Sequence, residues 1–192
     1  EKYKLVYVFS DCELFDIAEL KLVDEKVMFH KQIENKSIDT EIEDYNVEKH
    51  DYNQLLDLAY VSGVNSRFKT DENFSLDEYK KLYKKWLDKS INPETETRVL
   101  INQTNGLVTG FISIEKTEED IAKIGLLAVN SQFRGHNIAS KLLANAEGLL
   151  NKESFKFLEV ATQNNNLPAM KLYLKNNFRI KSKTYIHHFW NL

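Results

Sequence analysis

The pattern of hydrophobic and polar positions predicts two strands near the start of the chain. Residues 4–10 and 21–33 are rich in β-branched and aromatic side chains, and a short helical turn over residues 11–20 is expected between them. The polar residues 34–51 then predict a linker. This pattern indicates a small αβ unit that precedes the main body of the chain.

Beyond the linker, the apolar positions change to helical spacing. Residues 52–64 place their apolar side chains on one face, which predicts a first helix. Ser75 and Glu78 form a capping-box pattern in front of a second helix over residues 76–91. We therefore predict two helices joined by a loop.

The second half of the chain predicts a hairpin followed by alternating helices and strands. Asn105 and Gly106 separate two β-rich runs within residues 98–114, and both residues tolerate the positive φ of a tight hairpin turn. The next elements are a strand over residues 121–129, a helix over 138–150 and a strand over 155–162. A helix over residues 167–176, with Pro168 in its first turn, and a strand over 178–190 complete the chain's pattern. This order predicts an α/β (α+β) fold.

Charge and composition exclude several classes of partner. The 26 lysines and arginines nearly balance 29 aspartates and glutamates, so the formal charge of −3 gives no electrostatic footprint for nucleic acid or an anionic membrane. We therefore expect a small-molecule substrate. No apolar run approaches the roughly 20 residues of a membrane span, no signal peptide is visible, and Cys12 is the single cysteine. These features favour a cytoplasmic protein, and no metal-ligand spacing is found, so no metal is expected.

The turn that begins at Arg134 carries the clearest chemistry. Residues 134–139 follow a predicted strand and lead into a helix, so several backbone N–H groups without helical partners converge there. With the positive end of the helix dipole and Arg134, they would hold an anion. The small residues Gly135, Ala139 and Ser140 would let a diphosphate approach the backbone. On this stretch alone, an ordinary helix start with an exposed arginine is an equal alternative.

Two motifs resemble those of the GCN5-related N-acetyltransferases (GNAT). Residues 134–139 are similar to the Arg-x-x-Gly-x-Gly/Ala turn of this family, with Asn137 where a glycine is usual. The family's Asn-x-x-Ala-x-x-Leu-Tyr motif is matched by Asn166, Ala169, Leu172 and Tyr173. The resemblance covers roughly residues 98 to 192. It implies the GNAT fold, a mixed, mostly antiparallel central sheet flanked by helices, and acetyl-CoA as cosubstrate.

A narrower resemblance covers more of the chain. The runs SRFKTDENF, YKKLYKKW, IGLLAV and EVATQ are similar to family members that acetylate the 4-amino group of dTDP-linked 4-amino-4,6-dideoxyhexoses. Those enzymes have a small N-terminal subdomain, so the resemblance implies an αβ subdomain over residues 1–45 and an acetyltransferase domain over residues 46–192. It also implies a nucleotide-linked amino sugar as acceptor, and it leaves a homodimer open.

The resemblance assigns roles to residues of both motifs. Tyr173 would protonate the departing sulfur of coenzyme A as general acid, and Asn166 would bind the pantetheine arm or cap its helix. Residues 124–129 are expected to splay from the parallel strand 157–162, so that pantetheine amides pair with free backbone groups. The Leu127 N–H would also stabilise the thioester oxyanion. The implied cofactor-binding residues are Leu127, Ala128, Val129, Arg134, Gly135, His136, Asn137, Ile138, Ala139, Ser140 and Asn166.

The resemblance also implies acceptor binding at Arg67, Phe68 and Lys69, on the loop between the first two helices. An arginine suits a diphosphate and an aromatic ring suits a base or sugar, whereas an exposed basic loop without a ligand is an equal alternative. His187 and His188 alternate faces of a strand, so at most one of them reaches the cleft to assist deprotonation of the sugar ammonium. Packed or solvated histidines are the favoured interpretation.

Two alternative functions stay open. The same fold could acetylate another amine, such as a protein N-terminus, a polyamine or an antibiotic, although no strongly acidic patch favours a polyamine. The chain could instead be a non-catalytic acyl-CoA-binding module, against which the presence of Tyr173 argues.

Overall fold

A computed structural model describes residues 3–14, 19–117 and 120–191, which form eight strands and five helices around one sheet. The strands are β1 Leu5–Ser10, β2 Leu20–Gln32, β3 Ile42–Asp44, β4 Thr97–Thr104, β5 Leu107–Lys116, β6 Ile121–Val129, β7 Phe157–Gln163 and β8 Arg179–Trp190. The helices are α1 Tyr52–Ser62, α2 Arg67–Thr70, α3 Leu76–Ile91, α4 Ile138–Lys152 and α5 Leu167–Lys175, and a single 3₁₀ turn covers Ser131–Phe133.

The strands lie in the order β1-β8-β2-β7-β6-β5-β4-β3. Of these neighbouring pairs only β6 and β7 run parallel, because the crossover through α4 returns the chain in the same direction. The predicted mixed, mostly antiparallel sheet flanked by helices is therefore confirmed.

Helices cover both faces of the sheet and divide the core into two clusters. On one face, α4 buries Leu142, Leu143 and Ala146 against β2, β5 and β7, and Tyr173 of α5 joins the same cluster. On the other face, α1 and α3 bury Leu55 and Leu87 against β4, β5 and β6. These are the amphipathic faces that the helical spacing predicts.

Several local predictions are confirmed. Asn105 and Gly106 join β4 to β5 with φ values of 51° and 77°, as a tight hairpin turn requires. Ser75 caps α3 through a full capping box with Glu78. Pro168 lies in the first turn of α5, where its missing N–H has no helical role.

The N-terminal residues belong to the same sheet as the rest of the chain. Strand β1 pairs with β8, and β2 lies between β8 and β7. The predicted boundary between residues 1–45 and 46–192 stays a prediction. Residues 15–18, within the helical turn expected over residues 11–20, lie outside the described residues, and Leu20 already belongs to β2.

Two regions differ from the sequence prediction. The expected linker, residues 34–51, contains β3, which pairs with β4 through Ile42 and Asn102. The expected loop at Arg67, Phe68 and Lys69 is the helical turn α2. Both elements are short, so neither offers enough periodic positions for a pattern to reveal it.

A buried ion pair ties the sheet to α4. Lys31 of β2 and Glu147 of α4 approach to 2.6 Å, with side chains only 4% and 2% exposed. The Lys31 ammonium also lies 5.7 Å from the centre of the Phe178 ring.

Among the described helices, none is long and apolar enough to cross a membrane.

Candidate active site

A gap opens in the sheet where β6 and β7 diverge. Their parallel pairing ends at Ile124 and Val160, so the later parts of both strands face each other without a ladder. The Leu126 N–H donates to the Ser113 hydroxyl of β5 at 2.8 Å, at a bulge in β6 where Gly125 and Leu126 lie opposite the single residue Ser113. Because N–H groups alternate sides along a strand, the Leu127 N–H points away from β5 into the gap. The predicted splay of these strands is thus present.

The start of α4 forms one end of the site. The first helical bond runs from the Lys141 N–H to the Asn137 carbonyl at 3.0 Å, so the N–H groups of Ile138, Ala139 and Ser140 precede it without helical acceptors. Asn137 has φ 63° and ψ 13° and does not cap the helix with its side chain. It takes the left-handed conformation for which glycine is favoured, as its tolerance of such angles predicts.

A cavity of about 230 Å³, the helix-end cavity, lies against these N–H groups. Its lining includes seven of the residues predicted to bind the cofactor: Val129, Arg134, Gly135, Asn137, Ile138, Ala139 and Ser140. Gly135 has φ 85°, a conformation that strains any side chain. His136 is exposed, lies outside this lining, and has its Nδ1 3.2 Å from the Phe133 carbonyl.

Two cations border the helix-end cavity. Arg134 is exposed, and its Nε lies 3.4 Å from the Val129 carbonyl, which holds the guanidinium beside the gap. Lys175, at the end of α5, also lines the cavity, with its Nζ 3.5 Å from Asn137 Oδ1. Sequence reasoning missed Lys175, although its position two residues after Tyr173 places it at the same end of the helix. Unpaired N–H groups and two cations make this cavity suited to an anion.

A central cavity of about 420 Å³ continues from there into the gap. One wall is the exposed edge of β6, and the opposite wall is the start of α5 with the end of α1. The residues that line it include Leu127, Ala128, Val129, Arg134, Ala139, Asn166 and Tyr173, together with Ser62 and Asn65, which sequence reasoning did not single out. An extended, amide-bearing chain fits such a gap because free strand edges pair with amides.

Tyr173 lies between the central cavity and a further one. The residue is 5% exposed, and its ring packs against Phe29 and Phe178 with centroids 5.4 and 5.6 Å apart. Burial raises the pKa of the hydroxyl, which therefore keeps its proton at neutral pH. Within the described part of the chain the hydroxyl has no hydrogen-bond partner, and the residue lines both cavities.

Asn166 caps α5, as one of its two predicted roles requires. Its Oδ1 accepts from the Ala169 N–H at 3.3 Å, and its Nδ2 donates to the Thr162 hydroxyl at 3.2 Å. These contacts fix the start of the helix that carries Tyr173.

The further cavity, the aromatic cavity, measures about 180 Å³ and shares Ser62, Leu127, Asn166, Ala169 and Tyr173 with the central one. It is lined on the α2 and α3 side by Ser66, Arg67, Phe68, Tyr83 and Trp86. Arg67 and Phe68 thus line the same cavity as Tyr173, and their role in acceptor binding stays a prediction. Lys69 lies outside this lining, is exposed, and holds its ammonium 5.5 Å from the Tyr79 ring centre.

Gly63 lets Tyr83 form the wall of the aromatic cavity. A side chain at position 63 would overlap the Tyr83 ring, so the close approach of α1 and α3 depends on this glycine. Burial raises the pKa of Tyr83, whose hydroxyl therefore stays protonated.

Arg67 is held over a buried carboxylate. Its Nη1 lies 3.7 Å from Asp24 Oδ2, whose side chain is 2% exposed, and burial raises the pKa of Asp24 to about 6. The Arg67 guanidinium also stacks on Phe68, with its carbon 4.4 Å from the ring centre. Its Nε is buried without a hydrogen bond, so part of its donor capacity is unused.

Neither histidine of β8 lines the cavities described above. His187 and His188 are both fully buried. His188 Nδ1 lies 2.6 Å from Asp71 Oδ2, which also accepts from the Trp190 indole at 2.9 Å. These bonds lower the pKa of Asp71 and anchor the end of α2 to β8, so His188 is a packed structural residue.

Cys12 is exposed, and no group of three metal-ligating side chains occurs within the described ranges.

Two curated proteins share part of this sequence. A spore coat polysaccharide biosynthesis protein, SpsD, of Bacillus subtilis is 27% identical over 140 residues, which is 73% of this chain and 48% of the relative. The dTDP-fucosamine acetyltransferase of Escherichia coli O6:H1 is 26% identical over 132 residues, which is 68% of this chain and 56% of the relative. The chain thus spans about half the length of these curated relatives.

Solved structures share the fold. A GNAT family acetyltransferase from Elizabethkingia anophelis, solved with acetyl-CoA bound, superimposes with a TM-score of 0.53 at 14% identity, over 78% of this chain and 96% of its own. The family model described as "Acetyltransferase (GNAT) family" matches residues 61–178, which is more than half of the chain and includes α4, β7 and α5. The protein belongs to the acetyltransferase (GNAT) family.

Proposed function

We propose that this protein transfers the acetyl group of acetyl-CoA directly to the amino group of a nucleotide-linked amino sugar, a dTDP-amino-dideoxyhexose. The observation that carries this proposal is the continuity of the three cavities. Tyr173 lies at the junction of the central and aromatic cavities, and Arg67 lines the aromatic one. The names of the two curated relatives, one a polysaccharide biosynthesis protein and one a dTDP-fucosamine acetyltransferase, support an amino sugar as the acceptor.

Acetyl-CoA would occupy the helix-end and central cavities and supply the acetyl thioester. The N–H groups at the start of α4, with Arg134 and Lys175, bind its diphosphate. The backbone of Leu127, Ala128 and Val129 pairs with its pantetheine amides. The acetyl-CoA bound in the Elizabethkingia enzyme of the same fold supports this cosubstrate.

The reaction itself needs an oxyanion donor and a proton donor at the junction of the cavities. The Leu127 N–H points into the gap, where it stabilises the negative charge that develops on the thioester oxygen as the amine adds. The Tyr173 hydroxyl gives its proton to the departing sulfur, because its raised pKa keeps it protonated. The amine nitrogen loses its proton to water as the new C–N bond forms and the C–S bond breaks, and the Tyr173 phenolate then takes up a proton from water.

Release of free thiol tests the proposal. The protein is mixed with acetyl-CoA and a panel of amines: dTDP-linked amino-dideoxyhexoses, the corresponding free amino sugars, a polyamine and a peptide N-terminus. We expect the nucleotide-linked sugars to release thiol fastest. Faster turnover of a free amine would assign the protein to another small-amine substrate, and binding of acetyl-CoA without turnover of any amine would indicate a non-catalytic module.

Removal of the Arg134 side chain is expected to weaken acetyl-CoA binding. Arg134→Ala loses a charge-assisted hydrogen bond to the diphosphate. We therefore expect the Kd for acetyl-CoA to rise about tenfold. Calorimetric titration with acetyl-CoA measures this change. Arg179→Ala, which removes an exposed arginine outside the three cavities, serves as the control and should bind as the unchanged protein does. Equal affinities of both variants would place the diphosphate elsewhere.

Removal of the Arg67 side chain is expected to weaken binding of the acceptor and to leave binding of acetyl-CoA unchanged. Arg67→Ala should raise the KM for the dTDP-linked amino sugar by about 10- to 150-fold, because one charge-assisted hydrogen bond is lost. The KM for acetyl-CoA should change little. A free amino sugar has no diphosphate, so its slower acetylation should be insensitive to the substitution. Equal losses for both acceptors would show that Arg67 supports the packing of α2 instead.

A further inference from the structure

Two exposed aromatic rings lie side by side on the edge strand of the sheet. Tyr7 and Phe9 of β1 are 40% and 59% exposed, and their ring centroids lie 6.4 Å apart. As residues i and i+2 of a strand, they project from the same face. The Tyr7 ring contacts its cross-strand partner His188, whose ring centroid lies 4.8 Å away in an edge-to-face arrangement.

Arg67 connects this aromatic pair to the aromatic cavity. Its guanidinium carbon lies 5.5 Å from the centre of the Tyr7 ring and 4.4 Å from that of Phe68. Since Phe68 lines the aromatic cavity, the groups follow one another as Phe9, Tyr7, Arg67, Phe68 and then the cavity that contains Tyr173. The exposed rings therefore continue the acceptor side of the site across the surface.

The charges around Arg67 leave it available to an anion. Arg67 Nη1 lies 3.7 Å from Asp24 Oδ2, beyond hydrogen-bond distance, and the Arg67 side chain is 21% exposed. Its Nε is buried without a partner, whereas neither Nη is among the buried unpartnered atoms of the described residues. The other charged groups nearby are already paired: Asp71 with His188, and Lys21 with Glu72. A diphosphate on the surface would thus accept hydrogen bonds from the solvent-facing Nη groups of the guanidinium.

We propose that Tyr7 and Phe9 form an outer acceptor subsite that stacks the base of a nucleoside diphosphate whose phosphates bind Arg67. This inference rests on the proposed function and names the part of the surface that recognises the nucleotide. In a nucleotide-linked amino sugar the groups follow the order amine, sugar ring, diphosphate, base. The protein presents matching groups in the same order: Tyr173, the aromatic cavity, Arg67, and the rings of Tyr7 and Phe9. Aromatic rings stack on a base regardless of its hydrogen-bonding edge.

Binding of dTDP, without any sugar, tests the subsite independently of catalysis. Calorimetric titration compares the unchanged protein with Phe9→Ser and with the double variant Tyr7→Leu/Phe9→Leu. Val6→Ala is the matched control, because Val6 is 41% exposed on the same strand and projects from the opposite face. We expect Kd for dTDP to rise at least about fivefold in Phe9→Ser and more in the double variant. The control should bind dTDP unchanged, and acetyl-CoA affinity should be the same in all four proteins.

Each outcome decides the inference. Equal dTDP affinity in the unchanged protein and in Phe9→Ser and the double variant would overturn it, as would failure of the unchanged protein to bind dTDP. If the double variant loses acetyl-CoA binding as well, it is misfolded, and Phe9→Ser, which alters only an exposed side chain, decides alone. Acetylation of dTDP-linked sugars with an unchanged KM in Phe9→Ser would reject the subsite while leaving the proposed function intact.

Discussion

Replacement of Tyr173 by phenylalanine is expected to lower kcat by about 100-fold or more, with little change in acetyl-CoA affinity. The substitution keeps the ring that packs against Phe29 and Phe178 and removes only the hydroxyl that faces the cavities. Without a proton donor, the thiolate must leave unprotonated, and a missing general acid costs about this factor. Steady-state thiol release measures kcat, and calorimetry measures acetyl-CoA binding.

A second tyrosine provides the control for this experiment. Tyr185 of β8 lies outside the cavities that contain Tyr173, so Tyr185→Phe should keep normal turnover. If Tyr173→Phe turns over as fast as this control, Tyr173 has no part in proton transfer. A loss of acetyl-CoA binding equal to the loss of kcat would instead show that the hydroxyl supports the pocket.

Replacement of Glu147 by alanine is expected to lower the free energy of unfolding by about 3–5 kcal/mol. The substitution leaves the Lys31 ammonium buried, with a side chain only 4% exposed, and without its carboxylate. An uncompensated charge in the core costs much more than the pair contributes. Urea unfolding followed by circular dichroism measures the change.

Two further variants separate charge from packing. Lys31→Met/Glu147→Leu removes both charges and fills similar volume, so it should be more stable than Glu147→Ala. Lys156→Ala breaks the exposed pair with Asp120, whose side chains are 64% and 47% exposed, and should cost at most about 1 kcal/mol. A Glu147→Ala variant as stable as Lys156→Ala would mean that water reaches Lys31.

The elements that the sequence predicts well are those whose cause is local. The Asn105-Gly106 turn and the Ser75 cap depend on residues within a few positions of each other, so their patterns are complete in the sequence. The left-handed Asn137 and the capping Asn166 were likewise predictable, because each acts on the backbone of its own turn.

What the sequence does not reveal depends on contacts between distant residues. Strand β3 exists because β4, more than fifty residues later, offers it an edge. Glu147 pairs with Lys31 across the core, and Lys175 reaches the helix-end cavity only because α5 ends beside the start of α4. No periodicity encodes such pairs, since they arise from the topology of the sheet.

The buried carboxylate beside Arg67 lowers the stability of the fold at neutral pH. Burial disfavours the charged form of Asp24 and raises its pKa from 3.8 to about 6. The folded state therefore binds the proton more tightly than the unfolded state, and stability declines as the pH rises from about 4 to about 6. At neutral pH this buried carboxylate stays charged 3.7 Å from the Arg67 guanidinium. An Asp24→Asn variant is therefore expected to be more stable at neutral pH and to orient the guanidinium less firmly.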